Sequence, residues 1–313
     1  MTVSEKVERT LEALSGGSPK PVPASVWYHF DAQHVAGESM ARAHLEHLSR
    51  YDLDYLKVMN DNAYDLPEGI GVIKQPSDWR KLEPLRASAP GFVAQFEGLR
   101  ILAKELGGRV MMTTTVFNVF ASAQKLCGRK LLRHLAEDRE STLAGLETVS
   151  RSLCVLARES IASGADGVFL ACSGNAIGEL SSDAYRQLIK PHDEAVLKAA
   201  GEGTFNFVHV HGDGIDLSVF VDLPGDCLNW NSHRNSPNLR EALSMTKMCL
   251  VGGWDQTGPI AGGPEEAIAV ETRDALKQTG GERLLLGPGC TIPSDTPASL
   301  IKAAMASARR EGV

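Results

Sequence analysis

The sequence predicts an α/β fold, a (β/α)8 barrel of the TIM type, and three observations lead to this prediction. Short apolar runs rich in β-forming residues recur along the chain, and longer helix-like segments separate most of them. The runs are apolar throughout, which is typical of parallel strands buried on both faces. Eight such runs within 313 residues match the eight strands of a barrel. The alternative is an open doubly wound sheet, which requires no particular number of strands.

The predicted strands are spaced so that a helix fits between most consecutive pairs. They cover residues 25–30, 55–59, 109–116, 167–172, 205–210, 226–230, 248–252 and 283–286. The predicted helices carry apolar residues among polar ones, and glycine follows several of them, as is common at helix ends. They cover residues 38–51, 91–106, 141–163, 182–200, 238–246, 264–279 and 296–310. This alternation predicts a single barrel domain spanning residues 1–313.

Two segments lie outside the simple repeat. Residues 1–22 predict a short leading helix followed by a Pro-rich lead-in. Residues 62–90 contain four prolines and predict a long loop after the second strand. Loops of that length usually cover a site or are mobile, so we expect this one to lie over the mouth of the barrel.

The composition is that of a soluble globular protein, with 43% hydrophobic and 23% charged residues. A formal net charge of −7 argues against a nucleic-acid partner. No apolar run approaches the roughly 20 residues of a transmembrane helix, and the charged N-terminus lacks the apolar core of a signal peptide. We therefore expect a cytoplasmic protein with no membrane partner. The six cysteines include no CxxC pair, which predicts free thiols in a reducing compartment.

Two histidines at the end of the fifth predicted strand form the most specific functional signal. His209 and His211 are two residues apart, so on a strand they point to the same face, about 7 Å apart along the chain. Two imidazoles at this spacing can converge on one metal ion. The alternative is that hydrogen bonds in a polar pocket satisfy both rings.

A third candidate ligand, Cys290, lies in the Gly/Pro-rich turn after the eighth predicted strand. In a barrel this turn and the end of the fifth strand meet at the same rim. Zinc accepts imidazole nitrogen and thiolate sulfur, and three protein ligands leave the open position of a catalytic site. The sequence therefore predicts a zinc site formed by His209, His211 and Cys290, with a net positive centre that would deprotonate a thiol or water.

Polar residues also follow most of the other predicted strands, although turns are commonly polar without any function. Asp61 is the best candidate for a general acid/base or a substrate anchor, and an Asx turn is the alternative. Asn229 and Asn231 are predicted to line the pocket, and Asp213 is predicted to orient a ligand histidine or to cap a helix. The predicted catalytic residues are Asp61, His209, Asn229 and Asn231.

The motifs that contain these residues resemble those of the uroporphyrinogen decarboxylase superfamily, from about residue 22 to the C-terminus. They are His209-Val-His-Gly-Asp213, Asn229-Trp-Asn231, Val251-Gly-Gly-Trp-Asp255 and Gly287-Pro-Gly-Cys290-Thr-Ile-Pro293. The superfamily has a (β/α)8 barrel fold and at least two chemical branches. One branch is the metal-free decarboxylase of haem synthesis. The other contains zinc-dependent methyltransferases, which move a methyl group from a corrinoid protein to a thiol such as coenzyme M.

The sequence is more similar to the methyltransferase branch. His209 and Cys290 match its zinc ligands, and His211 stands where that branch has cysteine. Asp61 matches the aspartate after the second strand, but the segment 29–34 has no arginine of the kind that grips carboxylates in the decarboxylase. The resemblance implies a zinc-dependent methyl or alkyl transferase acting on a small-molecule substrate. It also implies a corrinoid protein or a small methylated compound as donor, and a homodimer.

Two other functions are consistent with the sequence. One is a metal-free decarboxylase of a small carboxylated substrate that uses Asp61 and His209. The other is a non-catalytic protein that binds a small ligand or a corrinoid partner.

Overall fold

The computed structural model describes residues 4–311, in which seven parallel strands form one sheet in sequence order. The strands are β1 (Tyr55–Val58), β2 (Met111–Phe117), β3 (Gly167–Cys172), β4 (Phe207–Val210), β5 (Cys227–Trp230), β6 (Cys249–Trp254) and β7 (Leu284–Pro288). Each lies within a few residues of a run predicted from the sequence. The chain therefore has the predicted α/β class with parallel strands.

Helices connect the strands, as the alternating pattern predicts. They are α1 (Glu5–Leu14), α2 (Gly37–Tyr51), α3 (Pro90–Leu106), α4 (Val119–Leu126), α5 (Leu131–Glu137), α6 (Arg139–Ala162), α7 (Ser182–Leu188), α8 (Lys190–Ala199), α9 (Leu239–Met245), α10 (Pro259–Gly262), α11 (Glu265–Thr279) and α12 (Ala298–Glu311). Short 3-10 helices cover Ala32–His34, Pro76–Lys81 and Leu217–Val219. Between residues 4 and 311, none of the helices combines the length and the apolar character needed to cross a bilayer.

The first predicted strand, residues 25–30, does not form a regular strand. Its neighbour Ala24 makes one isolated parallel bridge to Leu286 of β7, and the Ala24 carbonyl accepts a hydrogen bond of 2.9 Å from the Asp54 N–H. Pro21 and Pro23 both precede Ala24, and because proline has no N–H to donate, the ladder does not extend toward the N-terminus. The regular sheet therefore has seven strands where the sequence pattern predicts eight.

The sheet curls so that its two edge strands approach each other. The Tyr55 hydroxyl of β1 donates a hydrogen bond of 3.1 Å to the Leu286 carbonyl of β7. Inside the curl, aromatic rings from alternate strand positions pack together, and Phe169 and Phe207 stack with their centroids 5.2 Å apart. Ala13 of α1 packs against this inner cluster. The curl brings the C-terminal ends of the strands toward one another.

The predicted helix 182–200 is two helices, α7 and α8, that meet at Ile189. Pro191 is the second residue of α8. Because proline has no N–H, it cannot donate the helical hydrogen bond to the carbonyl of Gln187, and the helix is interrupted. The helices α4 and α5 were not predicted, and both are short, with eight and seven residues.

The long loop 62–90 packs against α6. Trp79 is fully buried, and a side chain added at Gly145 of α6 would come within 2.6 Å of its ring. The Trp79 indole donates a hydrogen bond of 3.0 Å to His134. The loop is therefore anchored to the outer helices by an aromatic residue in its 3-10 helix.

Asp54 connects three distant parts of the chain at the N-terminal end of β1. Its carboxylate is fully buried and forms ion pairs with Arg9 of α1, at 2.9 Å, and with Arg309 of α12. It also accepts the Ala24 N–H at 2.9 Å. A buried carboxylate with this many partners holds the lead-in segment and both terminal helices against the sheet.

We predict that Asp54→Asn lowers the free energy of unfolding by about 3 kcal/mol, because it leaves two arginines without their shared buried partner. The matched control is Asp52→Asn, since the Asp52 side chain is 74% exposed in its ion pair with Lys6. The control should cost less than about 1 kcal/mol. Urea unfolding of both variants measures the difference, and equal costs would contradict this role of Asp54.

Candidate metal centre and its cavity

The pairing of β4 with β5 places His209 beside Asn229. The two residues are partners in the parallel register, and His209 Nδ1 lies 2.7 Å from Asn229 Oδ1. The Asn229 amide nitrogen donates to the carbonyls of Val251, at 2.8 Å, and Pro288, at 3.2 Å. Its Oδ1 therefore accepts a hydrogen bond from the protonated Nδ1 of His209. This arrangement leaves Nε2 of His209 as the atom with a free lone pair.

His211 lies one residue beyond β4, and its N–H donates to the Cys172 carbonyl at 2.9 Å. It faces the same side as His209, with the ring centroids 6.1 Å apart. Gly212 then turns the chain away at φ +119°, where an added Cβ would lie 2.5 Å from Ala176. The strand and its glycine therefore place the two imidazoles as the sequence spacing predicts.

Cys290 reaches the histidines because a glycine precedes it. Gly289 bonds to the Trp254 carbonyl at 3.0 Å, and an added Cβ there would lie 2.5 Å from the Cα of Asn231. Only glycine permits such a close approach of two backbones. As a result, Cys290 Sγ lies 3.6 Å from Nδ1 of His211.

The three side chains lie close enough together to hold one metal ion. One ligand atom from each of His209, His211 and Cys290 lies within 4.8 Å of the other two. In a tetrahedral zinc site the nitrogen and sulfur ligands are about 3.6 Å apart, which is the distance from Cys290 to His211. Two nitrogens and one thiolate are a donor set that zinc accepts. The chain therefore brings together the ligands that the sequence predicts.

The charges of these groups favour the form of cysteine that binds metals. Burial alone would raise the pKa of the Cys290 thiol, but the neighbouring His209 and His211 rings hold it well below its usual range. The hydrogen bond to Cys290 in turn raises the pKa of His211. Cys290 is therefore poised as a thiolate, the form in which cysteine coordinates a metal.

The three candidate ligands line a central cavity of about 330 Å³ at the C-terminal ends of the strands. Its walls combine aromatic side chains with a few polar ones. Among the lining residues are Trp27, His29, Lys57, Thr115, Phe120, Phe169, Ser173 and Glu179. The described residues of the loop 62–90 do not line this cavity. One side of the candidate metal centre therefore faces a partly open cavity of small-molecule size.

Lys57 is a cavity residue that the sequence analysis missed. It lies on β1 and is only 4% exposed. Its ammonium donates to the Met59 sulfur at 2.8 Å and lies 4.8 Å from the centroid of the Phe169 ring. Burial lowers the pKa of Lys57 to about 7. A single lysine within an otherwise apolar predicted strand was the signal that could have identified it.

Asp61 lies beside the central cavity, with His29 between them. His29 lines the cavity, and its Nδ1 lies 2.9 Å from both carboxylate oxygens of Asp61. Burial alone would raise the pKa of Asp61, but the hydrogen bond from His29 lowers it. Asp61 itself lines an adjoining cavity with Asn60, Asn62 and other residues of the loop. It is therefore placed to act on the central cavity through His29.

The two predicted asparagines occupy different positions. Asn229 is fully buried behind His209 and does not line the central cavity. Asn231 lines another cavity of about 220 Å³, on the other side of His211 and Cys290. Its amide donates to Asp255 at 3.2 Å, and Asp255 also binds Arg234. Asn229 thus contacts a candidate ligand, whereas Asn231 faces a separate space.

Most of the other polar residues at strand ends have structural contacts. Asn118 caps α4 and binds the backbone of Ser173, and Asn175 accepts the Asp216 N–H. Within residues 4–311, the Asp213 side chain makes no hydrogen bond to His211 or to another side chain. The predicted orientation of a ligand histidine by Asp213 is therefore wrong for this arrangement. Asn229 performs that function for His209.

Solved structures with the same fold come from several kinds of protein. A methyltransferase from Methanosarcina mazei has a TM-score of 0.77 at 19% identity, and the match covers 98% of both chains. A putative vitamin-B12 independent methionine synthase from Listeria monocytogenes has a TM-score of 0.56 at 11% identity, covering 92% of this chain and 95% of that one. An endo-β-1,4-mannanase from Thermotoga petrophila has a TM-score of 0.54 at 13% identity, covering 95% of this chain and 78% of that one. Identities this low show the fold alone.

Family membership comes from the sequence. Comparison with curated protein sequences gives no match. The family model described as uroporphyrinogen decarboxylase (URO-D) matches residues 28–311, which include every candidate site residue. The resemblance inferred from the histidine and cysteine motifs is thereby confirmed, and the chain belongs to the URO-D family.

Proposed function

We propose that the protein is a zinc-dependent methyl or alkyl transferase that activates a thiol or a similar small acceptor. One observation carries the proposal: His209, His211 and Cys290 converge at the wall of a cavity large enough for a small molecule. Three protein ligands with free space beside them are the arrangement of a catalytic zinc site. The similarity in fold to a methyltransferase over nearly the whole chain supports the same activity.

His209, His211 and Cys290 hold the metal in this proposal. A bound zinc ion would lower the pKa of an acceptor thiol, so that its nucleophilic thiolate form predominates near pH 7. Asn229 is a positioning residue, because its hydrogen bond keeps the proton on Nδ1 of His209 and the lone pair on Nε2. With His211 in place of a second thiolate, the centre carries one more positive charge than a site with two cysteines.

The central cavity binds the acceptor. At about 330 Å³ it lies at the small end of the range for ligand sites, about 300–1,000 Å³, and therefore suits a single small molecule. The rings of Trp27, Phe120 and Phe169 provide apolar surface in its walls. In this proposal the His29–Asp61 pair takes the proton that the acceptor loses, since a ring hydrogen-bonded to a carboxylate accepts a proton at its other nitrogen.

The methyl donor is either a corrinoid carried by another protein or a small methylated compound. Its entry from the C-terminal ends of the strands would bring the methyl group to the same cavity as the acceptor. Asn231 lines the cavity on the other side of Cys290 and is available to orient one of the two reactants.

A second candidate function is a metal-free decarboxylase of a small carboxylated substrate. The observation that favours it is the His29–Asp61 pair, because Asp61 matches the aspartate after the second strand in the decarboxylase branch. Decarboxylation that persists after complete removal of metal by a chelator would select this function over methyl transfer.

We predict that protein purified without added metal contains about one zinc ion per chain, and that Cys290→Ser lowers this to below about a tenth of an equivalent. The reason is that the serine hydroxyl is a poor zinc ligand compared with a thiolate. The matched control is Cys154→Ser on α6, which should retain the wild-type zinc content. Elemental analysis measures all three proteins, and a zinc-free wild type that also fails to bind added zinc would refute the transferase mechanism.

We predict that Asn229→Ala weakens zinc binding about 10- to 100-fold, the usual effect of removing the hydrogen-bond partner of a ligand histidine. Without its acceptor, His209 loses both its orientation and its fixed tautomer. Competition with a chromophoric chelator measures the affinity. The control is Asn175→Ala, a buried asparagine that does not contact the ligands and should leave the affinity unchanged. Equal affinities in the two variants would show that Asn229 does not position His209.

A further inference from the structure

Lys57 is buried without a carboxylate partner. It lies on the short strand β1, and its side chain reaches the central cavity. Within residues 4–311, no carboxylate oxygen lies within ion-pair distance of its ammonium, and its hydrogen bond goes to the thioether of Met59. Lysine is almost never fully buried unless it is paired. An unpaired buried lysine that faces a cavity therefore requires a functional explanation.

The surroundings of Lys57 favour the neutral amine. Phe169, Trp27 and Met59 are all nearly fully buried and line the cavity beside it. Burial lowers the pKa of Lys57 to about 7 even though the negative charges of Cys290 and Asp61 act to raise it, so the free amine is accessible at neutral pH. Lysines desolvated in this way are the ones that act as nucleophiles toward carbonyl groups.

The less buried part of the cavity lining carries two cations and one carboxylate, and that carboxylate, Glu179, already accepts the backbone N–H groups of Gly174 and Ala176. Lys125 and Arg129 line the cavity and are exposed, whereas Lys57 lies at its buried end. In the described part of the chain neither side chain forms an ion pair, and the Lys125 ammonium lies 3.4 Å from the centroid of the Phe117 ring. Two unpaired cations at the entrance favour a ligand with an anionic group. The cavity thus combines an anion-binding entrance with a reactive amine at its buried end.

We propose that Lys57 is a nucleophilic amine that forms an imine with the carbonyl group of a small 2-oxo acid. The carboxylate of the ligand faces Lys125 and Arg129, and its carbonyl carbon reaches Lys57. A three-carbon acid such as pyruvate suits a cavity of this size. This activity goes beyond the proposed methyl transfer and requires no metal.

The chemical step is balanced without an oxidant or another reactant. The Nζ lone pair forms a bond to the carbonyl carbon, and the oxygen takes up a proton to give a carbinolamine. The C–O bond then breaks, and the oxygen leaves as water with both protons of the original amine. The product is a C=N bond between Lys57 and the ligand, which water can hydrolyse again.

Trapping with borohydride tests the proposal directly. Wild-type protein is incubated with pyruvate, reduced with borohydride, digested and mapped by mass spectrometry. Reduction adds hydride to the imine carbon and converts the adduct into a stable secondary amine. We expect the label to be concentrated on the peptide that contains Lys57. Every other lysine should be labelled no more than it is in denatured protein, which gives the background level. Lys57→Arg replaces the amine with a guanidinium, which forms no imine, and should abolish this label. Lys125→Met should raise the pyruvate concentration needed for half-maximal labelling.

Three results would overturn the proposal: no label on folded wild type, label spread evenly over surface lysines, or the same label in Lys57→Arg. The wild-type map alone decides the question if the variant fails to fold. The experiment is run on metal-free protein and on protein with added zinc. Labelling of Lys57 in a protein that binds no zinc would support the imine and refute the transferase. Zinc binding without labelling of Lys57 would support the transferase and refute the imine.

Discussion

The hydrogen bond between His209 and Asn229 determines how the candidate site is organised. It exists because β4 and β5 pair in a parallel register that makes these two residues neighbours. The amide of Asn229 is in turn oriented by carbonyls of the two following strands, through Val251 and Pro288. Four consecutive strands therefore determine which nitrogen of one imidazole is free. A shift of one residue in the pairing of β4 with β5 would separate His209 from Asn229.

The position of Cys290 depends on the curl of the sheet and on one glycine. The curl brings the end of β7 next to the ends of β4 and β5, and Gly289 lets the turn pass against Asn231. Residues that are 79 positions apart in the chain, His211 and Cys290, thereby come within 3.6 Å. The segment before β1, held by Asp54 between the two sheet edges, keeps the curl in place. Stability and the candidate chemistry thus depend on the same closure.

Sequence reasoning identified the elements whose signal is local. The apolar run that ends at Cys172 has the same bounds in the structure as in the prediction, because a glycine and a polar turn flank it. His209 and His211 were identified because strand periodicity alone puts them on one face. Residues 25–30 were predicted wrongly as a regular strand, since apolar character does not reveal that pairing here is limited to the Ala24 bridge and the bond from the Ser25 N–H to the Leu286 carbonyl. Lys57 and the contact of Asn229 with His209 depend on contacts between strands, which the order of residues does not display.

X-ray absorption at the zinc K-edge tests the central claim most directly, since it reports the atoms that surround the metal in the intact protein. The proposed ligands predict a first shell with one sulfur at about 2.3 Å and nitrogen or oxygen neighbours at about 2.0–2.1 Å. The sulfur contribution should disappear in Cys290→Ser and persist in Cys154→Ser. A shell without sulfur in the wild type, or one with several sulfurs, would contradict a centre built from His209, His211 and Cys290.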